Sequence, residues 1–257
     1  MLSRRARERA VSGLLVPLRI GRGDVVAVAG AGGKTTLIYR LAAQARRSGL
    51  RVLVTSTTHM GTLPEATTGP VFVEADGDPQ PGLERELSRG GLVTLLGRRV
   101  RPDKLEGVRP ERVDDLARRA DLVLVEADGA RGRSLKTPAE HEPVVPLSTT
   151  LLLVVAALDV LGRPLAEAHV HRIDRVAAAA GRAPGSVVDE DVVVAALQAP
   201  SGYPSRVPPR ARAGVFLNKA EGEAALAAAG RIARRLVPPY GFVAAGSARA
   251  GLAQVMA

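Results

Sequence analysis

The sequence predicts an α/β protein, a P-loop NTPase-like three-layer sandwich built on a mostly parallel sheet. Three observations lead there. The apolar run Val25-Val26-Ala27-Val28-Ala29 passes into the glycine turn Gly30-Ala31-Gly32-Gly33-Lys34-Thr35-Thr36, which opens a helical pattern from Leu37 to Arg47. Short, fully apolar runs then alternate with helical patterns along the rest of the chain, as in parallel sheets covered by helices on both faces. The length of 257 residues suits one such domain, and residues 1–257 read as a single unit.

The elements follow in order. Val25 to Ala29 is the first strand, and Thr35 to Ser48 the first helix, stopped by Gly49, as glycine commonly does just past a helix end. Arg51 to Ser56 is a strand, and 60–70 a loop broken by Pro64 and Pro70. Val71 to Val73 and Leu92 to Leu96 are short strands, with a helix from about Gly82 to Ser88 between them. Pro110 to Arg119 is a helix, and Leu122 to Val125 a buried strand ending in Glu126-Ala127-Asp128-Gly129. The polar stretch 130–146 is too long for a bare connector and reads as a specificity loop. Leu151 to Ala157 is another buried strand; Asp174 to Ala180 and Asp189 to Gln198 are helices. The proline-rich stretch 199–211 is a loop, Val215 to Leu217 a strand, Glu221 to Leu236 a helix and Phe242 to Ala245 the last strand. Residues 1–20 read as a basic amphipathic helix or extension packed on the domain, because Glu8 breaks the charge run and the apolar segment before Pro17 is too short for a signal peptide.

Composition narrows the function classes. The 46% hydrophobic fraction supports a core, which must be aliphatic because there are three Phe, three Tyr and no Trp. Cys is absent, which excludes disulfides, thiolate metal sites and Cys nucleophiles. The net charge of +10 comes from scattered arginines with few aromatics to stack on bases, which argues against a nucleic-acid partner. No stretch is long and apolar enough for a membrane-spanning helix. Use of a nucleotide would suggest the cytoplasm.

The glycine turn carries the chemistry. Glycines let backbone approach phosphate oxygens, and the amides and dipole of a helix start favour their charge. The candidate nucleotide-binding residues are therefore Gly30, Ala31, Gly32, Gly33, Lys34, Thr35 and Thr36, with Lys34 on the β/γ-phosphates and the Thr35 hydroxyl on Mg²⁺. The loop is shorter than G-x-x-x-x-G-K-S/T, since Val28 stands where the first glycine would be; short loops of this kind occur in Mur-type amide ligases.

A P-loop needs an acid at the end of a neighbouring strand. Glu126 and Asp128 share one face of an extended segment, and either suits Mg²⁺. The same pentapeptide, Val-Glu-Ala-Asp-Gly, also occurs at 73–77; the copy at 125–129 follows the longer apolar strand and carries more weight. Arg131 and Arg133 follow and suit charge on a transferring phosphoryl group. Thr58, His59, Lys136, Glu140 and His141 are candidates for substrate or partner contact, Thr58 and His59 because they leave a strand at the crevice where open α/β sheets bind ligands. Asn218-Lys219-Ala220-Glu221 resembles the base-reading N-K-x-D of GTPases with Glu for Asp, and Gly246-Ser247-Ala248-Arg249 resembles the loop that follows it, so the cofactor is Mg²⁺ with ATP or GTP.

Gly30 to Thr36, Thr57-Thr58-His59, Glu126 to Arg133 and Leu135-Lys136-Thr137-Pro138-Ala139-Glu140-His141-Glu142-Pro143 together resemble the YqeC-type proteins, accessory proteins of selenium-dependent molybdenum hydroxylases. The resemblance runs from about residue 12 to the C-terminus, and Gly162-Arg163-Pro164-Leu165 and Asn218-Lys219 agree with it. It implies a role in maturing hydroxylases that carry a labile selenium ligand, with the hydroxylase or its cofactor-maturation proteins as partners. It implies a pathway rather than a reaction. Without Cys, selenium is not carried on a thiol of this chain, which leaves nucleotide-driven delivery, activation or chaperoning. Three readings follow: an NTPase serving maturation, a small-molecule kinase or Mur-like ligase, and a nucleotide-regulated binding protein with little turnover. By analogy with other variant-loop NTPases, a homodimer across the nucleotide is a further expectation.

Overall fold

The computed structural model describes residues 13–61 and 65–257. The chain runs β1 (Asp24–Gly30), α1 (Lys34–Arg47), β2 (Val52–Ser56), β3 (His59–Gly61), α2 (Glu65–Thr68), β4 (Val71–Val73), α3 (Gln80–Ser88), β5 (Leu92–Leu96), β6 (Arg98–Arg101), β7 (Lys104–Glu106), α4 (Pro110–Leu116) and β8 (Leu122–Glu126). It continues through β9 (Leu135–Lys136), β10 (Leu151–Ala157), β11 (Val170–His171), α5 (Ile173–Ala180), α6 (Glu190–Gln198), β12 (Arg212–Asn218), α7 (Glu223–Leu236), β13 (Phe242–Ser247) and β14 (Leu252–Val255).

The main sheet has nine strands in the order β14-β13-β12-β10-β1-β8-β2-β5-β4. Every pair is parallel except β13 with β14. β1 is central, and its register sets Val28 opposite Glu126 on one side and Gly30 opposite Val155 on the other. Ala157 in turn faces Asn218. The carboxyl ends of β1, β8, β10 and β12 therefore meet at one edge, where parallel sheets bind ligands.

The period-two alternation of β1 explains the layers. Val26 and Val28 point into a core with Leu14, Leu18 and the α1 residues Leu37, Ile38 and Leu41. Ala27 and Ala29 point into the opposite core, with Val192, Val193 and Leu197 of α6 and Ile232 and Leu236 of α7. A third cluster joins Leu83 and Leu87 of α3 and Val113 and Leu116 of α4 to Val123 and Val125 of β8. Burying one such side chain contributes about 1.5–3 kcal/mol, so an aliphatic core without Trp suffices.

Most elements lie within a residue or two of their sequence positions. Four differ in kind. The stretch 130–146 is not bare loop: Leu135 and Lys136 pair in parallel with Val170 and His171. Within 199–211, Tyr203–Arg206 forms a 3-10 turn that buries Tyr203. A small antiparallel sheet, β3-β7-β6, stands beside the main one, and β14 closes the edge next to β13. Of the N-terminal stretch 1–20, residues 1–12 lie outside the described residues; the part beyond them turns tightly, with Leu14 and Leu18 buried against α1 and the Leu14 amide donating to Gln44 Oε1 at 2.7 Å. No helix among the described residues is long and apolar enough to cross a membrane.

Candidate functional site

The glycine turn folds as a cradle. Gly30, Gly32 and Gly33 all have left-handed φ (98°, 89° and 108°), which side chains resist. A Cβ at Gly30 would collide with the Val155 carbonyl, and one at Gly32 with the side chain and amide of Ala157, so β10 presses the loop from beneath. The first turn of α1 has neither a side-chain cap nor an acidic residue. By contrast, the Asp189 carboxylate caps α6 by accepting from the Val192 amide at 3.0 Å. Uncapped amides at the end of β1 leave α1 open to an anion.

Lys34 is buried at the start of α1. Its ammonium donates to the Gly30 carbonyl at 2.8 Å and stands 3.2 Å from Asp128 Oδ1 and 4.0 Å from Glu126 Oε1. The Thr35 hydroxyl donates to Glu126 Oε2 at 2.8 Å. Burial raises the Glu126 pKa, and the Asp128 charge adds to this; the Lys34 charge and the Thr35 hydrogen bond offset it in part.

The two acids occupy different places. Glu126 lines the cleft, whereas Asp128 lies beneath it, fully buried. Asp128 Oδ2 accepts from the Gly30 amide at 3.2 Å and pairs with the Lys136 ammonium at 2.9 Å. Asp128 Oδ1 faces Lys34 without an aligned hydrogen bond.

Lys136, fully buried, extends the charge array. It donates to the Gly129 carbonyl at 2.6 Å and pairs with Glu142 Oε2 at 2.7 Å, and Glu142 Oε1 pairs with Arg172 at 3.0 Å. Alternating charges thus run Lys34, Asp128, Lys136, Glu142, Arg172. Burial alone would raise the Glu142 pKa, but the hydrogen bonds and charge of Lys136, with Arg172, bring it down to about 2. The His171 pKa is lowered by burial and by the charges of Lys136 and Arg172.

Above these groups opens a cleft of about 700 Å³. Of the sequence candidates it is lined by Gly32, Gly33, Lys34, Thr35, Thr36, Thr58, His59, Glu126, Arg131 and Arg133. Lys136 and Asp128 lie under it. Glu140 and His141 are exposed and do not line it; Glu140 pairs with Arg175 at 3.5 Å. Asn218 is buried below the loop, donating through Nδ2 to the Gly32 carbonyl at 2.7 Å and accepting at Oδ1 from the Ala248 amide at 2.8 Å. Lys219 pairs with Asp159 at 2.7 Å, and Glu221 accepts from the Ser247 hydroxyl at 2.7 Å. The end of β2 braces the acid's backbone: the Ser56 hydroxyl and the Thr57 amide both donate to the Glu126 carbonyl.

Sequence reasoning did not select Glu142, His171 or Arg172. Glu142 lies inside the 135–143 block, next to Glu140 and His141. His171 and Arg172 carry no local signal, because only the β9–β11 pairing brings them to the cleft. The first Val-Glu-Ala-Asp-Gly copy lies elsewhere: Glu74–Asp76 is a 3-10 turn, and Glu74 pairs with Arg112 at 2.7 Å.

Two comparisons bear on kinship. A family model described as "YqeC protein" matches residues 26–174, which include the glycine loop, Glu126 to Arg133, Lys136, Glu142 and Arg172. A protein of Escherichia coli (strain K12) named "Uncharacterized protein YqeC" is 35% identical over 200 residues, covering 77% of this chain and 77% of that protein. With more than half of its length matched by the family model, and with this relative, the chain belongs to the YqeC family.

Proposed function

We propose that this protein binds a Mg²⁺-nucleoside triphosphate, ATP or GTP, in the cleft at the end of β1 and hydrolyses it in support of molybdenum hydroxylase maturation. The observation that carries the nucleotide reading is the glycine cradle with Lys34 at its base and the uncapped start of α1 beside it. The maturation role rests on kinship and on the resemblance of the 126–143 segment. The hydroxylase or its cofactor-maturation proteins would be the partners.

The residues fit a hard cation. Thr35 Oγ1 and the Glu126 carboxylate, 2.8 Å apart, offer oxygen donors at the cleft floor. Among the described residues no group of three or more His, Asp or Glu is placed to hold a metal, and Mg²⁺ in nucleotide sites is commonly held by one or two carboxylates plus substrate phosphates. Thr35 and Glu126 would hold the ion, which would supply positive charge to offset that developing on the phosphates. Lys34 would leave the Gly30 carbonyl for the γ-phosphate, and Asp128 would hold the loop through the Gly30 amide. Arg131 or Arg133 would stabilise charge on the transferred phosphoryl group. Asn218 would keep the loop closed, with Lys219 and Glu221 near the base.

A second reading, a small-molecule kinase or Mur-like ligase, is favoured by the extension of the cleft beyond the loop to Arg131, Arg133 and Arg172. The test is calorimetric titration with ATP and GTP analogues in Mg²⁺, on the natural protein and on Lys34→Ala. Binding of one nucleotide, lost at least 100-fold in the variant, is expected. No binding of either by the natural protein would overturn the proposal. Product analysis then separates hydrolysis from transfer to an acceptor.

A further inference from the structure

We propose that the cleft wall formed by His171 and Arg172, with Arg131, is a second anion subsite that takes the tetrahedral oxyanion of a small molecule beside the bound nucleotide. This rests on the reading that the glycine loop takes the nucleotide's phosphates.

Four observations converge on it. First, the cations of the cleft outnumber its free acids. Lys34, Lys104, Arg131, Arg133 and Arg172 line it, against Glu126, Glu142 and Glu167. Glu126 is engaged by Thr35 and faces Lys34, and Glu142 is engaged by Lys136 and Arg172. Glu167 stands exposed at the rim. Among the described residues no carboxylate lies within 4 Å of Lys104, Arg131 or Arg133 that would neutralise them. Second, Arg172 holds a donor in reserve: Nη2 pairs with Glu142, while among the described residues Nη1 meets no partner.

Third, Arg131 and Arg172 both adopt left-handed backbone, with φ of 50° and 60°. That conformation is uncommon outside glycine and gathers at ligand sites. Here it occurs at two arginines from separate segments that line one cleft. Fourth, the β9–β11 pairing sets His171 opposite Lys136, where burial and the neighbouring cations lower its pKa. A neutral imidazole can both donate to an oxyanion and accept its remaining proton.

The array Asp128, Lys136, Glu142 ties this wall to Lys34 through ion pairs of 3.2, 2.9, 2.7 and 3.0 Å. The two subsites are therefore joined by one continuous chain of ion pairs, as a site that must align two bound groups requires.

The experiment uses inorganic phosphate as the probe, titrated calorimetrically into full-length protein saturated with Mg²⁺ and a non-hydrolysable ATP or GTP analogue. Phosphate is expected to bind the saturated protein, and its affinity to fall at least ten-fold in Arg172→Asn and in Arg131→Asn. Asn tolerates left-handed backbone better than most residues, so these variants keep the turns while losing the guanidinium. Melting temperatures near that of the natural protein check that they fold. Failure of phosphate to bind once the analogue saturates the loop would overturn the proposal. So would phosphate binding that Lys34→Ala abolishes while the arginine variants retain it, since that places the anion in the glycine loop alone. If the protein binds neither analogue yet phosphate binding still falls in both arginine variants, the subsite stands and the nucleotide reading fails.

Discussion

The Thr35 hydroxyl donates to the Glu126 carboxylate across 2.8 Å, joining the first turn of α1 to the end of β8. The carboxylate is nearly sealed from solvent, and burial holds its pKa above the usual value of 4.5. The folded protein therefore binds more protons than the unfolded chain as pH climbs from 4.5 through the raised pKa. Stability falls across that window. Glu126→Gln removes the buried charge, while Lys34 keeps Asp128 as its partner at 3.2 Å. The ligand-free variant should melt higher than the natural protein at pH 8 and match it at pH 4, by differential scanning calorimetry. Its Mg²⁺-dependent nucleotide affinity should drop at least ten-fold.

Gly32→Ala meets two obstacles, a left-handed φ of 89° and the Ala157 amide 2.8 Å from where the new methyl would sit. The Ala157 amide cannot shift without moving β10. Strain of this kind costs about 1–3 kcal/mol. The variant should be less stable by that order in urea denaturation and should lose nucleotide binding. Alanine at Gly23, whose φ is also left-handed but which has open space around it, should leave binding intact and serve as the control.

Lys136 carries its charge at no exposure, between Asp128 and Glu142. Lys136→Met fills a similar volume but removes the cation between them, leaving buried Asp128 with Lys34 alone and half-buried Glu142 with Arg172 alone. Removing one partner of a buried ion pair costs about 3–5 kcal/mol. Urea denaturation should show a loss of that order. A loss under about 1 kcal/mol would mean that water reaches the array.

Glu142 gives the opposite pH signature to Glu126. Its folded pKa, about 2, lies below the ordinary 4.5, so the unfolded chain binds the extra proton between those values. Stability from this group is complete above 4.5 and is lost as pH falls toward 2. Glu142→Gln should flatten the fall in stability between pH 4.5 and 2.5, measured by denaturant midpoints. An unchanged acid slope would remove the Lys136–Glu142–Arg172 link from the account.

Most of the architecture was legible because strands buried on both faces read as continuous apolar runs. Leu122 to Val125 and Leu151 to Ala157 could hardly be anything else. β6 and β7 were not legible: Arg98-Arg99-Val100-Arg101 is exposed along its whole length and has no buried face to betray a strand. β14 escaped because Leu252 and Val255 remain partly exposed at a sheet edge. In the candidate site, the meeting of Lys34, Thr35 and Glu126 was legible because a strand, glycine turn and helix start place all three at fixed spacing at one sheet edge. Arg172 was not, since 38 residues separate it from Arg133 in the sequence and only the fold closes the gap. The two Val-Glu-Ala-Asp-Gly copies make the same point. The pentapeptide is identical, and the strand that precedes it decides whether its acids reach the cleft.

The glycine cradle is wedged against Val155 and Ala157, and Lys34 already rests on the Gly30 carbonyl inside it. Little chain remains to be ordered when an anion arrives, so the entropic cost of association is small. Capture of a triphosphate should then proceed at encounter-limited speed, without a slow isomerisation beforehand. Differences among nucleotide analogues would be written in how long each stays rather than in how fast each enters.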